Sequence, residues 1–261
     1  MNFLRKDIAL IPLLFIKTWK WVLELIFPAF CLGCEREGSF LCEPCLKKIP
    51  RQQKQTCPLC YIANSFGEVC LKCKREDFYL DSLFAVSKFE EKSLLRKCIH
   101  SLKYDFIEEL AQPLGKMLFD AFRVSLRDNK NMRDSAIILC PISLHKKRLK
   151  WRGFNQAALL TEKMLALNSD GIFHNIKIRN PLERITFNKP QMELSQEERL
   201  KNMRNAFMVK NKNDIRESDK NTIFLLVDDI ATTLATLNSA AQVLKQAGAK
   251  YVSGLVLARV Y

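Results

Sequence analysis

The rhythm of hydrophobic and polar positions changes near residue 80. Beyond it, short apolar runs alternate with amphipathic stretches. SLFAVSKF at 82–89, AIILCP at 136–141 and TIFLLV at 222–227 read as strands, with two more at 172–178 and 251–258. Apolar residues spaced by three and four predict helices over 91–102, 107–124, 154–167 and 235–247, the last stopped by Gly248. Continuous apolar runs suit strands buried on both faces, so this alternation predicts an α/β fold whose parallel sheet is covered by helices. The segment 180–213 is polar, lacks a sustained period and contains Pro181 and Pro190, which predicts a functional loop or lid. The stretch 129–134 reads as a plain polar connection.

Residues 8–30 are mostly apolar, but Lys17, Lys20 and Glu24 interrupt them. The uncharged runs on either side reach only about half of a bilayer span. An amphipathic helix over 1–29, broken near Pro12, is expected, either docked on the protein or lying on an anionic membrane with Trp19 and Trp21 at the interface. No small-x-small cleavage signal follows, so the segment reads as retained and the protein as cytoplasmic, with peripheral attachment at the inner face of the membrane as the alternative.

Eight of the ten cysteines fall between Cys31 and Cys73, as four CxxC pairs: Cys31/Cys34, Cys42/Cys45, Cys57/Cys60 and Cys70/Cys73. Tetrahedral zinc needs four soft ligands, and two facing CxxC turns supply them without a large core. Structural zinc is therefore the preferred reading over disulfides or redox chemistry, and residues 30–78 are read as a double zinc-ribbon module. Spacing leaves the pairing open, since sequential and interleaved tetrads both satisfy it. Cys98 and Cys140 read as core residues. The boundaries that follow are 1–29, 30–78 and 79–261.

The composition, 48% hydrophobic and 27% charged, excludes collagen-like, disordered and polytopic membrane classes. A net charge of +14 favours polyanionic partners. The densest basic element is LHKKRLKWRGFNQ, in which Lys146, Lys147, Arg148, Lys150 and Arg152 are accompanied by Trp151 and Phe154 and by no acid. Phosphate contacts with base stacking at such a patch suit single-stranded nucleic acid. His100, His145 and His174 stand alone and read as structural residues.

The string IFLLVDDIATTLATLN, 223–238, places two aspartates at the carboxyl end of a buried strand, then a threonine-rich turn and a helix. Ligands bind at this edge of open α/β sheets. Backbone N–H groups of residues 232–236 and the hydroxyls of Thr232, Thr233 and Thr236 would converge on a phosphate at the positive end of the helix. Asp228 and Asp229 would hydrogen-bond a ribose diol.

This DD–TT–helix pattern resembles the phosphoribosyl pyrophosphate motif of type I phosphoribosyltransferases. The cysteine module, LKY at 102–104, PISLHKKRLKWRGFNQ at 141–156, and the ordered set Arg184, Gln191, Leu194, Ser195, Arg199, Asn202, Ala206 and Phe207 together resemble the ComF family of competence proteins over nearly the whole chain. The resemblance implies a phosphoribosyltransferase-like sheet preceded by a zinc ribbon, and a role with single-stranded DNA in natural transformation beside other competence proteins such as a DNA helicase. It places a phosphoribosyl pyrophosphate-type ligand on Asp228, Asp229, Ala231, Thr232, Thr233, Leu234, Ala235 and Thr236. Pyrophosphate or nucleic-acid contacts would fall to Lys146, Lys147, Arg148, Lys150, Arg152, Arg184 and Arg199. Were the site catalytic, Mg²⁺ would bridge pyrophosphate and ribose oxygens. An active phosphoribosyltransferase displacing pyrophosphate is the alternative to the DNA-handling reading. Leu234 stands where the family turn carries glycine, and a branched side chain resists the left-handed backbone that glycine adopts freely. Asn188 and Glu193 likewise depart from the family loop.

Overall fold

The computed structural model describes residues 28–128, 130–168, 175–186, 206–211, 215 and 222–261. The expected N-terminal helix lies outside them up to residue 27. Among the described residues no helix is long and apolar enough to cross a membrane. The chain divides into two compact units, Met1–Lys47 and Lys48–Tyr261.

In the first unit, residues 28–47 form a small knuckle. Phe30 and Glu37 bridge antiparallel, the Cys31 N–H donates to Arg36 O at 2.9 Å, and a short helix, α1 (Glu43–Lys48), begins after Cys42.

The second unit opens with another knuckle, whose strands β1 (Gln55–Thr56) and β2 (Ala63–Asn64) pair antiparallel. It is pinned to the edge of the main sheet through Gly67. That residue has φ +63°, and a Cβ there would lie 2.1 Å from the Leu83 carbonyl oxygen, so no other residue fits the approach.

The main sheet comprises β3 (Ser82–Lys88), β4 (Ala136–Pro141), β5 (Ile176–Ile178), β8 (Thr222–Ala231) and β9 (Tyr251–Arg259), in the order β3-β9-β8-β4-β5. Every neighbouring pair is parallel. The α/β expectation is met, and for the stated reason: β8 and β9 are buried along almost their whole length, as continuous apolar runs demand.

Helices α2 (Leu94–Tyr104), α3 (Ala111–Asp128), α4 (Lys130–Arg133), α5 (Lys146–Arg152), α6 (Gln156–Ala166) and α7 (Ala235–Gln246) complete the unit. Ser93 caps α2 by accepting the Arg96 N–H at 3.2 Å, and Asn155 caps α6 by accepting the Ala157 N–H at 3.0 Å. The core is apolar, with Leu226, Leu237, Ala240, Ala241 and Val256 buried together. Cys98 and Cys140 are buried in the second unit, as expected of core residues.

Four elements differ from expectation. Residues 130–133, inside the stretch read as a plain polar connection, form the short helix α4. The basic stretch 146–152, for which the sequence pattern predicts no element, is a helix, because the His145 ring caps it by accepting the Lys147 N–H at 3.2 Å and Gly153 ends it at φ +84°. Within 180–213, β6 (Leu182–Arg184) and β7 (Phe207–Val209) pair antiparallel, with Arg184 opposite Phe207. Finally, β8 does not stop at Val227 but runs through both aspartates to Ala231.

Candidate phosphate and nucleic-acid site

The cysteines settle into sequential tetrads. Cys31, Cys34, Cys42 and Cys45 bring their sulfurs within 4.8 Å of one another, and Cys57, Cys60, Cys70 and Cys73 do the same. The two knuckles repeat the same hydrogen bonds: the Cys42 N–H donates to Cys31 Sγ at 3.4 Å and the Cys70 N–H to Cys57 Sγ at 3.5 Å. Burial pushes the Cys31 thiol up, but N–H donors from Cys42, Gly33 and Cys34 with the Cys42 thiol outweigh it, leaving it at about 6. Cys57 sits at about 6 for the same combination of reasons. Cys45 is pushed up to about 12, first by the Cys42 thiol and then by burial. Cys73 is pushed up to about 12 in the same way, by the Cys70 and Cys60 thiols and then burial. Four convergent thiols whose first proton leaves readily and whose last is held suit a divalent soft cation, and each tetrad can hold one zinc ion as a closed structural site.

At the carboxyl edge of the main sheet, β8 delivers the acidic pair. Asp228 and Asp229 are 9% and 2% exposed. Such burial costs too much unless partners are supplied, and three separate elements supply them. Lys103, in the last turn of α2, makes an ion pair with Asp229 Oδ2. Gln156, at the start of α6, donates from Nε2 to Asp229 Oδ1 at 3.2 Å. Arg152 donates to Gln156 Oε1 and sits 5.9 Å from the Tyr104 ring centroid.

The two carboxyls are thereby made unlike. Burial alone would raise Asp229, but the Lys103 charge and hydrogen bonds from Lys103, Asp228 and Gln156 outweigh it and hold the carboxyl below its ordinary range. Burial, the adjacent Asp229 charge and the hydrogen bond between the pair push Asp228 well above it. The pair therefore titrates as a coupled unit in which Asp229 gives up its proton first and Asp228 holds its own to higher pH.

The turn that follows has the expected shape despite its sequence. Leu234 adopts φ 63° and ψ −2°, the left-handed conformation for which the family turn uses glycine. Its side chain is not directed into the turn; it is 7% exposed and packs in the apolar core. A left-handed L-residue costs roughly 1–2 kcal/mol, and burial of a leucine side chain, worth roughly 1.5–3 kcal/mol, offsets it. Thr232 and Thr233 are exposed, and Ala235 and Thr236 half-buried. The first helical bond runs from the Asn238 N–H to Leu234 O at 2.8 Å, so the N–H groups of residues 232–236 have no backbone acceptor among the described residues. Ala231 belongs to β8, where its carbonyl accepts the Val260 N–H at 2.9 Å.

The basic residues divide into two kinds. Lys146, Lys147 and Lys150 are exposed on α5, with Lys146 Nζ 2.8 Å from Glu183 Oε1. Arg152 is buried and joined to the acidic pair through Gln156. Arg148 and Arg184 are half-buried. The Arg184 guanidinium lies 5.6 Å from the Phe207 ring, and burial with the Arg148 charge holds it below its ordinary range against the opposing pull of Asp228. Arg199, His174, Asn188, Gln191, Glu193, Leu194, Ser195 and Asn202 lie outside the described residues. Lys103 and Gln156, the partners of Asp229, were not singled out as site residues by the sequence reading. They sit inside its LKY and RGFNQ strings, but only the fold sets those strings against the aspartates.

No family model matches the chain. It is 27% identical over 226 residues to Competence protein F of Haemophilus influenzae, covering 84% of this chain and 90% of that protein. It is 29% identical over 226 residues to Competence protein ComFC of Bacillus subtilis, covering 84% of each. DNA utilization protein YhgH of Salmonella typhimurium is 25% identical over 243 residues, 90% of this chain and 99% of that one.

Proposed function

Given that the chain belongs to the ComF family of competence proteins, we propose that it handles single-stranded DNA during DNA uptake and binds a phosphoribosyl pyrophosphate-type ligand at the carboxyl edge of its sheet. The observation that carries this reading is the convergence there of a paired carboxylate, a threonine turn with unpartnered N–H groups and a basic helix. In this reading the 5-phosphate sits on residues 232–236, where Leu234 keeps the backbone open. The diol meets the acidic pair, with Asp229 held in place by Lys103 and Gln156. Arg148 and Arg184 face the pyrophosphate. Lys146, Lys147 and Lys150 present exposed charge for the phosphates of a DNA strand. The two cysteine tetrads hold structural zinc, and other competence proteins are the expected company.

Calorimetry of the purified protein against phosphoribosyl pyrophosphate, with and without Mg²⁺, and against an oligodeoxynucleotide tests both ligands on one sample. Saturable binding of the donor, abolished by Thr232→Ala with Thr233→Ala, is the expected result. Donor binding indifferent to those changes would remove the phosphate assignment, and absence of oligonucleotide binding would remove the DNA assignment.

Transfer of the ribosyl group is a second reading, favoured by the glycine-like conformation of Leu234. It predicts Mg²⁺-dependent pyrophosphate release in the presence of an acceptor, lost in Asp228→Asn.

A further inference from the structure

We propose that Tyr104, Phe106 and Trp151 form a base-stacking platform for single-stranded nucleic acid. The inference rests on the nucleic-acid reading above and specifies where the bases, rather than the phosphates, are held. The three rings come from two separate elements, the end of α2 and the end of α5. Trp151 is 58% exposed, Tyr104 51% and Phe106 43%. They touch one another: the Tyr104 and Trp151 centroids are 6.2 Å apart, and those of Phe106 and Trp151 are 5.4 Å apart in an edge-on arrangement.

Two features separate this cluster from ordinary surface aromatics. Phe106 has φ 57°, a conformation that side-chain-bearing residues resist. The Asp105 and Ile107 N–H groups both donate to Ser101 O, at 3.1 and 3.3 Å, and these bonds that close α2 hold the intervening residue left-handed. At Leu234 the same strain is offset by nearly complete burial, whereas Phe106 keeps 43% of its surface in water. A strained backbone that presents an apolar ring to solvent is a cue to function. The second feature is charge. Tyr104 has the Arg152 guanidinium 5.9 Å from its centroid, and α5 places exposed Lys146, Lys147 and Lys150 on the element that carries Trp151. Aromatic rings beside a helix that carries five basic residues and no acid match a flexible polyanion with a flat face at each unit. Phe154, read from sequence as part of this element, is only half-exposed and makes none of these ring contacts. Tyr104 and Phe106 lie more than forty positions earlier in the chain.

The test compares a base-containing oligodeoxynucleotide with an abasic deoxyribose-phosphate oligomer of equal length, by fluorescence anisotropy on the full chain. The wild-type protein is expected to bind the base-containing strand more tightly. Trp151→Ala and Tyr104→Ala should each weaken that binding roughly five- to a hundredfold, the range of base–aromatic stacking, and leave the abasic strand unaffected. Trp151→Phe should retain most of the affinity, which separates stacking from a fold defect. Equal wild-type affinity for the two strands would overturn the platform while leaving phosphate tracking intact. So would alanine variants that bind the base-containing strand normally, the result expected if these rings met a lipid surface or a protein instead. Failure to bind either strand would remove the nucleic-acid reading itself.

Discussion

Asp228→Asn is expected to stabilise the second unit at neutral pH, and Asp229→Asn to destabilise it, although the residues are adjacent, acidic and both buried. The reason lies in their partners. The Asp228 carboxyl is pushed well above its ordinary range by burial and by its neighbour, whereas in the unfolded chain it ionises near 3.9. The folded state therefore binds the extra proton, and stability is lost as pH rises from about 4 through the elevated folded value. Asparagine removes that burden, and its oxygen can still accept the Asp229 N–H bond that Asp228 Oδ1 now accepts at 2.9 Å. The gain of Asp228→Asn over the wild type should be small near pH 4, grow with pH, and level off above the folded pKa. Asp229 has the opposite sign. Its depressed folded pKa contributes stability that is present above about 4 and is lost as pH falls through the folded value.

The Asp229→Asn cost follows from Lys103, whose side chain is 19% exposed and would lose its ion-pair partner. Breaking a buried pair costs about 3–5 kcal/mol. Asp228 would then ionise and replace part of the attraction, so about 3 kcal/mol is expected, or a melting temperature lower by roughly 6–12 °C for a unit of this size. Thermal unfolding of the two variants and the wild type from pH 4 to 8, read by far-ultraviolet circular dichroism, measures both slopes. Equal destabilisation by the two substitutions, or a gain for Asp228→Asn that shrinks with rising pH, would refute the unequal pair.

At Leu234 the predicted order of stability is Leu, then Gly, then Ala. Glycine relieves the left-handed strain but gives up the buried side chain, while alanine gives up the side chain and keeps the strain; chemical denaturation should place Gly about 1–2 kcal/mol below wild type and Ala about 1 kcal/mol lower again. Because the turn already has its shape, Leu234→Gly should change affinity for a phosphorylated pentose by less than about threefold, and a large gain by calorimetry would show that the leucine obstructs the site. Metal analysis should return two zinc ions per chain, and Cys31→Ser with Cys45→Ser should leave one, whereas interleaved pairs would lose both. Replacing Lys146, Lys147 and Lys150 with glutamine should flatten the salt dependence of oligonucleotide binding by about 0.7 for each phosphate no longer neutralised, with no change in slope counting against these side chains.

The sheet was legible because its signal is local. Residues 136–141 and 223–227 are short runs apolar without interruption, the pattern of a strand buried on both faces, and their length is too small for a buried helix. The continuation of β8 through residues 228–231 was not legible, since aspartate is a poor strand former and the compensation comes from Lys103 and Gln156, far away in sequence. The short α5 escaped for a related reason: seven residues carry too few apolar positions to show a period, and its start depends on a histidine ring acting as a cap. The tetrads were visible in composition and spacing, but their pairing needed coordinates, because sequential and interleaved arrangements use the same four turns.

Leu234 and Phe106 carry the same backbone angle for opposed reasons, and the contrast bears on what each surface is for. A leucine in a left-handed turn is tolerated at the sheet edge because its side chain is worth more in the core than the strain costs, so the substitution can change the residue without changing the shape offered to a ligand. Phe106, still 43% exposed, has a smaller return from burial, and glycine or asparagine would close α2 more cheaply. Lys103 and Tyr104 connect the two places: one residue neutralises Asp229, and the next supplies a ring of the platform. A ligand whose diol engages Asp229 therefore acts on the Lys103 ion pair and through it on the last turn of α2 and the ring beside it. Phosphorylated pentose and single-stranded DNA are for that reason expected to alter each other's affinity, by the same factor in both directions. Titrating labelled oligonucleotide with and without saturating phosphoribosyl pyrophosphate, and the converse, measures that factor. A value of one in both directions, with both ligands bound, would mean that the end of α2 does not couple the two sites.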